Sequence, residues 1–259
     1  MQPSTTPDTW HLTIAQPDAG YRFALDAFLL ADFIPTTARS PLLDLGTGCG
    51  VIALLLARRL PHMSLVGLEF QARLAAWAGH NVRDNGLQQR LGIVQGDIRQ
   101  ATSLFAPESF GTVVCNPPYR AVGHGRLNPH PEKAIARHEL TVTLPQLLQA
   151  ITHVLERRGV CGLIYHPSRL SELCARLEEA RLRPRRLRLI HATAATPATM
   201  VLVEAVREGR QALTVLPPLC VYETSGVYSV EMQAIFRGRD LPSAGCIAKE
   251  STRVVHRTS

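Results

Sequence analysis

Lysine is nearly missing from this chain. Only Lys133 and Lys249 occur, so the 28 basic residues set against 21 acidic ones are almost all arginine. The formal charge of +7 favours a polyanionic partner without naming one. No Cys-x-x-Cys pair occurs either. The six cysteines stand apart at 49, 115, 161, 174, 220 and 246, three of them in apolar runs, and read as reduced core thiols of a cytosolic protein. None of the ten histidines makes a His-x-x-x-His pair, which argues against a metal site. No apolar stretch reaches the length of a membrane span. The first 20 residues lack the basic-then-apolar layout of a signal peptide. We therefore expect a cytoplasmic protein with no membrane partner.

What is present suits one sizeable α/β core: 259 residues, 46% of them hydrophobic. Residues 42–50 read Leu-Leu-Asp-Leu-Gly-Thr-Gly-Cys-Gly, followed by an apolar helical stretch from Val51 to Leu60. Strand, glycine turn and helix open a doubly wound unit. Gly46, Gly48 and Gly50, with Thr47 between them, let backbone approach a ligand closely. Their spacing follows Asp44 as Asp-x-Gly-x-Gly-x-Gly, not the Gly-x-Gly-x-x-Gly that seats a pyrophosphate. A nucleoside bearing an amino acid fits better, with Asp44 meeting its ammonium. NAD is the rival ligand at this point.

Two further acids support a nucleoside. Residues 64–70 form a second apolar strand ending at Glu69, where a carboxylate can accept both ribose hydroxyls. A third strand, Leu91 to Gln95, runs into Gly96 and Asp97, and Asp97 can accept from an adenine amino group. Both acids also have a plain reading, as a solvated strand end and a turn residue.

A fourth strand, Gly111 to Pro117, carries the most informative feature, Asn116-Pro117-Pro118-Tyr119. The Asn116 side-chain oxygen and the Pro117 carbonyl are two acceptors for a planar amine, and the Tyr119 ring can stack on its face. The plain alternative is a strand ending in a Pro-Pro turn.

Farther on, Leu144–Arg158 reads as a helix stopped by Gly159, Val160–Tyr165 as a fifth strand, and Ser168–Ala180 as a helix capped by Ser168. Arg186–His191 and Met200–Val206 read as an antiparallel edge pair. Strand-helix alternation implies a mainly parallel sheet with helices on both faces. Ligands of such sheets sit at the carboxyl ends of strands, where Asp44, Glu69, Asp97 and Asn116 fall. The long segment from Arg120 to Glu139 follows the tetrapeptide directly and reads as a lid contacting phosphates, through Arg120, Lys133, Arg137 and His138. Arginines 181, 183, 185, 186 and 188 form either a solvated helix end or a phosphate-contact stripe. We expect residues 1–238 to form a single domain with a short N-terminal extension, and 239–259 to be a disordered tail.

The tetrapeptide resembles the Asn/Asp-Pro-Pro-Tyr/Phe motif of S-adenosylmethionine (SAM) dependent amino-methyltransferases, which act on adenine N6, guanine N2 or a glutamine amide. Four local segments narrow the resemblance: Leu25-Asp26-Ala27-Phe28-Leu29-Leu30, Ala134-Ile135-Ala136-Arg137-His138-Glu139, His166-Pro167-Ser168-Arg169-Leu170, and Leu216-Pro217-Pro218-Leu219-Cys220-Val221-Tyr222. Together, over residues 21–238, they are similar to the tRNA1(Val) (adenine(37)-N6)-methyltransferase-like family, in its Gram-positive-type branch. The resemblance implies a Rossmann-like SAM-dependent methyltransferase fold, with a mainly parallel seven-stranded sheet and an antiparallel edge strand. It implies SAM as cofactor and the adenine 3′ of a tRNA anticodon as target. It puts Asp26 near the methionine end of SAM. Family members usually carry an aromatic after the motif's Tyr, where this chain has Arg120. The rivals are a guanine-N2 rRNA methyltransferase, a protein-glutamine methyltransferase and a non-catalytic RNA-binding module. The second usually has a helical domain before the SAM fold, and about 20 residues precede Tyr21 here.

Overall fold

A computed structural model describes residues 10, 12–16, 25–117, 142–224 and 226–238. Helix α1 (Leu25–Phe33) is apolar almost all round and is buried accordingly. Strand β1 (Leu42–Leu45) is buried at all four positions, as a central parallel strand must be. Then come α2 (Val51–Arg59), β2 (Leu65–Glu69), α3 (Ala72–Asp84), β3 (Leu91–Gln95), a short α4 (Ala101–Leu104) and β4 (Phe110–Cys115). The second half holds α5 (Leu144–Val154), β5 (Leu155–Tyr165), α6 (Leu170–Glu179), β6 (Leu182–His191) and β7 (Ala198–Arg207). Two-residue strands β8 (Thr214–Val215) and β9 (Leu219–Cys220), a hairpin of β10 (Tyr222–Thr224) and β11 (Val227–Tyr228), and α7 (Val230–Phe236) complete it.

The main sheet has the order β3-β2-β1-β4-β5-β7-β6, and β8 and β9 both pair with β6. All seven long strands are parallel except β7, which runs against both β5 and β6. The antiparallel strand expected at the edge therefore lies one place in, and the two-residue strands extend the expected seven. The reason is burial: Val201 to Val206 are enclosed throughout, which an edge position does not provide. One face packs α1, α2, α3 and α7, the other α4, α5 and α6.

Other differences are local. The helix expected over 144–158 ends at Val154, and the chain passes straight into β5. Leu155 pairs with Phe110 and Val160 with Thr112, so residues 156–159 bulge from the strand. Pairing of the fully buried Leu155 overrides helical periodicity, and Gly159 lies inside β5. The Ser168 hydroxyl is hydrogen-bonded to His166 Nδ1 at 2.7 Å. Pro167 starts a 3-10 turn there, and α6 begins only at Leu170, with no side-chain cap. The polar-looking N-terminus hides a period-two pattern: Trp10, Leu12 and Ile14 join the core.

The arginine stretch is largely committed internally. Arg185 Nε and Arg186 Nη2 lie 2.6 and 2.7 Å from Glu204 carboxylate oxygens. Arg186 also donates to the Phe33 carbonyl at 2.8 Å and covers that residue's ring. Arg188 reaches Glu231 at 2.7 Å and the Pro217 carbonyl at 3.0 Å. These three guanidiniums tie β6 to its neighbours, which favours the structural reading of the cluster.

Candidate active site

Strand order reverses between β1 and β4. β1 leads outward through β2 to β3, and the chain returns to place β4 on the other side of β1. Crevices at such switch points are the ligand sites of open α/β sheets. The register pairs Leu45 with Cys115, so the glycine turn and Asn116 leave neighbouring strands side by side.

The turn is built from backbone that only glycine adopts cheaply. Gly46, Gly48 and Gly50 have φ of 75°, 58° and 85°. Gly46 and Thr47 both donate to the Leu68 carbonyl, at 2.8 and 3.0 Å, which pins the turn to β2. Thr47 has room because Gly67 has no side chain: a Cβ there would stand 2.8 Å from the threonine methyl. Thr47 Oγ1 donates to Asp44 Oδ2 at 2.6 Å. Asp44 is 0% exposed, and its Oδ1 has no hydrogen-bond partner among the described residues. Burial pushes its pKa up to about 7, against the Thr47 hydroxyl and the Ala53 amide, while the Glu69 charge adds to the rise.

Glu69 ends β2 and faces the same turn. Its Oε2 accepts from Gly48 N–H at 2.9 Å and its Oε1 from Gln71 N–H at 2.8 Å. Burial raises its pKa, and those two amides oppose the rise. Asp97 lies one strand farther out. It caps the turn after β3, accepting from Arg99 N–H at 2.8 Å and Arg99 Nε at 2.9 Å. Its pKa is lowered, chiefly by the Arg99 side chain.

On the β4 side, Asn116 Nδ2 donates to Asp26 Oδ2 at 2.7 Å. Asp26 Oδ1 accepts from Ala27 N–H at 3.0 Å in the first turn of α1. The expected residues Asp26, Asp44, Gly46, Thr47, Gly48, Gly50, Glu69, Asp97, Asn116 and Pro117 all stand along one edge of the sheet or above it. Tyr119, Arg120, Lys133, Arg137 and His138 lie outside the described residues.

Sequence reasoning passed over Asn81. Buried on α3, it donates to the Ala15 and Cys49 carbonyls, at 2.8 and 2.9 Å, and accepts from Ala15 N–H at 2.8 Å. It thus joins the glycine turn to the N-terminal segment, and Asn85 adds a bond to Thr13 N–H at 2.9 Å. Asn81 inside an otherwise amphipathic helix, where its propensity is poor, with Asn85 four residues on at the C-cap, was the available signal.

The core thiols are inert. Burial pushes Cys161 to about 12 and Cys49 to about 11, so neither is a thiolate near neutrality. Among the described residues no group of His, Cys, Asp and Glu could hold a metal, and no helix is long and apolar enough to cross a membrane. A cleft of about 710 Å³ between Glu108, His153, Arg181 and Arg207 lies at the opposite end of the strands. It is walled by the Arg207–Glu108 ion pair at 3.0 Å and is remote from Asn116.

This sheet, with its glycine turn and its acids at successive strand ends, has the Rossmann-like methyltransferase fold. Residues 21–130 match the Methyltransferase small domain family. The chain is 29% identical over 220 residues, 84% of its length and 90% of the relative's, to a tRNA1(Val) (adenine(37)-N6)-methyltransferase of Photobacterium profundum. It is 32% identical to the protein of that name from Porphyromonas gingivalis over 167 residues, 62% and 64% of the two chains. The solved structure of a predicted O-methyltransferase from Agrobacterium tumefaciens superposes with a TM-score of 0.67 at 22% identity, covering 82% of this chain and 96% of that one. That likeness is one of fold.

Proposed function

We propose that this chain transfers a methyl group from SAM to N6 of an adenine in cytoplasmic tRNA, the adenine 3′ of the anticodon. The observation that carries the reading is the pairing, across the β1–β4 switch point, of a glycine turn with an asparagine whose amide nitrogen is given to Asp26. The relatives' names support tRNA and adenine. The anticodon position and the Gram-positive-type branch rest on the sequence segments quoted above.

The residues fit SAM. The glycine spacing is Asp-x-Gly-x-Gly-x-Gly, not the Gly-x-Gly-x-x-Gly that seats a pyrophosphate. Behind the turn stands a buried carboxylate, one oxygen of which has no hydrogen-bond partner among the described residues, suited to an ammonium. Asp44 would hold that end, directly or through water. Glu69 would hold the ribose, its two oxygens set in place at the strand end by the Gly48 and Gln71 amides. Asp97 would meet the adenine amine of the cofactor. SAM, when bound, supplies an electrophilic methyl on a good leaving group, so no general acid is required.

The rest is done by the chain. An adenine amine is a poor nucleophile because its lone pair is delocalised into the ring. Asn116 Oδ1 and the Pro117 carbonyl would accept its two N–H bonds. That orients the nitrogen in line with the methyl and stabilises the charge that develops on it. Tyr119 would stack on the base, and Arg120, Lys133, Arg137 and His138 would contact the backbone of the RNA. A loop nucleotide leaves its stack more easily than a paired one.

The test is incubation with methyl-labelled SAM and, separately, tRNA, rRNA and a release factor. Label in N6-methyladenosine of tRNA is the expected result. Label only in rRNA guanine or in protein glutamine replaces this reading with one of its rivals.

A further inference from the structure

An asparagine amide has two ends of nearly equal size and opposite chemistry. Rotation of χ2 by a half turn exchanges an acceptor for a pair of donors, and that torsion is broad and two-fold. At position 116 the choice is decisive. The acceptor amine presents N–H bonds, so a flipped amide would point donors at donors. Pro117 does not set the choice, because its carbonyl belongs to the backbone.

We propose that Asp26 sets it, as a positioning residue acting through Asn116; this rests on the amine-methyltransferase reading above. An ionised carboxylate is acceptor-only, so only the NH₂ end of Asn116 can face it. The observed bond runs that way, Nδ2–H to Oδ2 at 2.7 Å, which turns Oδ1 into the acceptor role. Asp26 is itself fixed. Its other oxygen takes the Ala27 amide at 3.0 Å, at the end of α1 whose dipole favours a negative charge. Leu29, Leu30 and Ala31 root that helix in the core, and Arg186 ties its last turn through the Phe33 carbonyl. Residues 90 positions apart in sequence are thus joined side chain to side chain.

A role on the cofactor and a role through Asn116 separate kinetically. We would measure tRNA methylation and SAM affinity for the full chain and for Asp26→Asn, Asn116→Asp and the double swap. Asp26→Asn should lower kcat about 10- to 100-fold, the worth of a hydrogen bond to a charged group, with the SAM Kd unchanged. Asn116→Asp sets two carboxylates against each other and should lose as much. The swap restores one donor and one carboxylate, with an acceptor still at 116, and should recover most of the rate. Full activity in Asp26→Asn, a loss residing in the SAM Kd, or single losses that multiply in the swap would each overturn the assignment. If the unaltered chain labels no tRNA adenine, the functional reading fails by itself. The side-chain amide protons of Asn116, followed by NMR in asparagine-labelled protein, then decide the matter. Slow exchange that Asp26→Asn accelerates supports the orienting bond, and equal exchange in both proteins refutes it.

Discussion

Asp44 and Glu204 are both carboxylates at 0% exposure, in strands of one sheet, and the fold treats them in opposite ways. Glu204 on β7 has two guanidiniums, Arg185 and Arg186, on its two oxygens. Asp44 on β1 has the Thr47 hydroxyl on one oxygen, the Ala53 amide acting on it, and no hydrogen-bond partner for Oδ1 among the described residues. A buried charge costs a great deal unless it is paired. The β5–β7–β6 half of the sheet meets that requirement with its own side chains. The β3–β2–β1–β4 half leaves it unmet at the glycine turn, where the proposed ligand would bring an ammonium. One half is finished as folded, and the other is finished by what it binds.

If the halves differ in this way, substitutions should fail differently in each. Glu204→Ala leaves two half-buried guanidiniums without their carboxylate, and should cost about 3–5 kcal/mol of stability in denaturant melts. SAM affinity of the molecules still folded should not change, and a large loss of affinity would blur the division. Asp44→Asn should do the reverse. The Asp44 pKa is about 7 in the fold and near 3.8 outside it. Between those values the native state keeps a proton that the unfolded chain has released. Stability therefore falls as pH rises through that window, by up to about 4 kcal/mol. Asp44→Asn should abolish this fall, matching the parent only near pH 3, below both values, and exceeding it at pH 8, while binding SAM less well. Parallel melting curves across that range would show that Asp44 is already satisfied without a ligand.

Asn116→Ala tests the acceptor side. It should lower methyl transfer on the order of 10²–10³-fold with SAM affinity intact, as loss of one transition-state acceptor does. Near-normal turnover would remove Asn116 from the chemistry. Smallest is Glu69→Ala, which should weaken SAM binding by about 1.5–3 kcal/mol in calorimetry. Unchanged affinity would give the ribose to another residue.

Residues that end apolar runs were legible in the sequence. Asp44, Glu69, Asp97 and Asn116 each follow a short hydrophobic stretch, and a parallel sheet gathers such ends at one edge. Boundaries were less legible, because pairing of Leu155 with Phe110 is a tertiary contact that helical periodicity does not register. Contacts made across the chain were invisible. Nothing local links Asp26 to Asn116, since the meeting depends on α1 lying over the end of β4. Glu204 did leave a trace: one acid inside Val201-Leu202-Val203-Glu204-Ala205-Val206, with surplus arginines some 18 residues before it. An isolated charge in a buried strand asks for its partner in the neighbouring strand.

The Asn81 clamp has a practical consequence for anyone trimming this molecule. The family match begins at residue 21, and a boundary drawn there discards Trp10, Leu12 and Ile14 with the Ala15 backbone. Asn81 would then keep only the Cys49 carbonyl of its three partners, and a solvent-facing scar would open beside the glycine turn. A shortened protein would keep most of its core and still have a slack, poorly shaped mouth beside the glycine turn. The first turn of the cofactor cradle is braced by residues that similarity alone would class as dispensable.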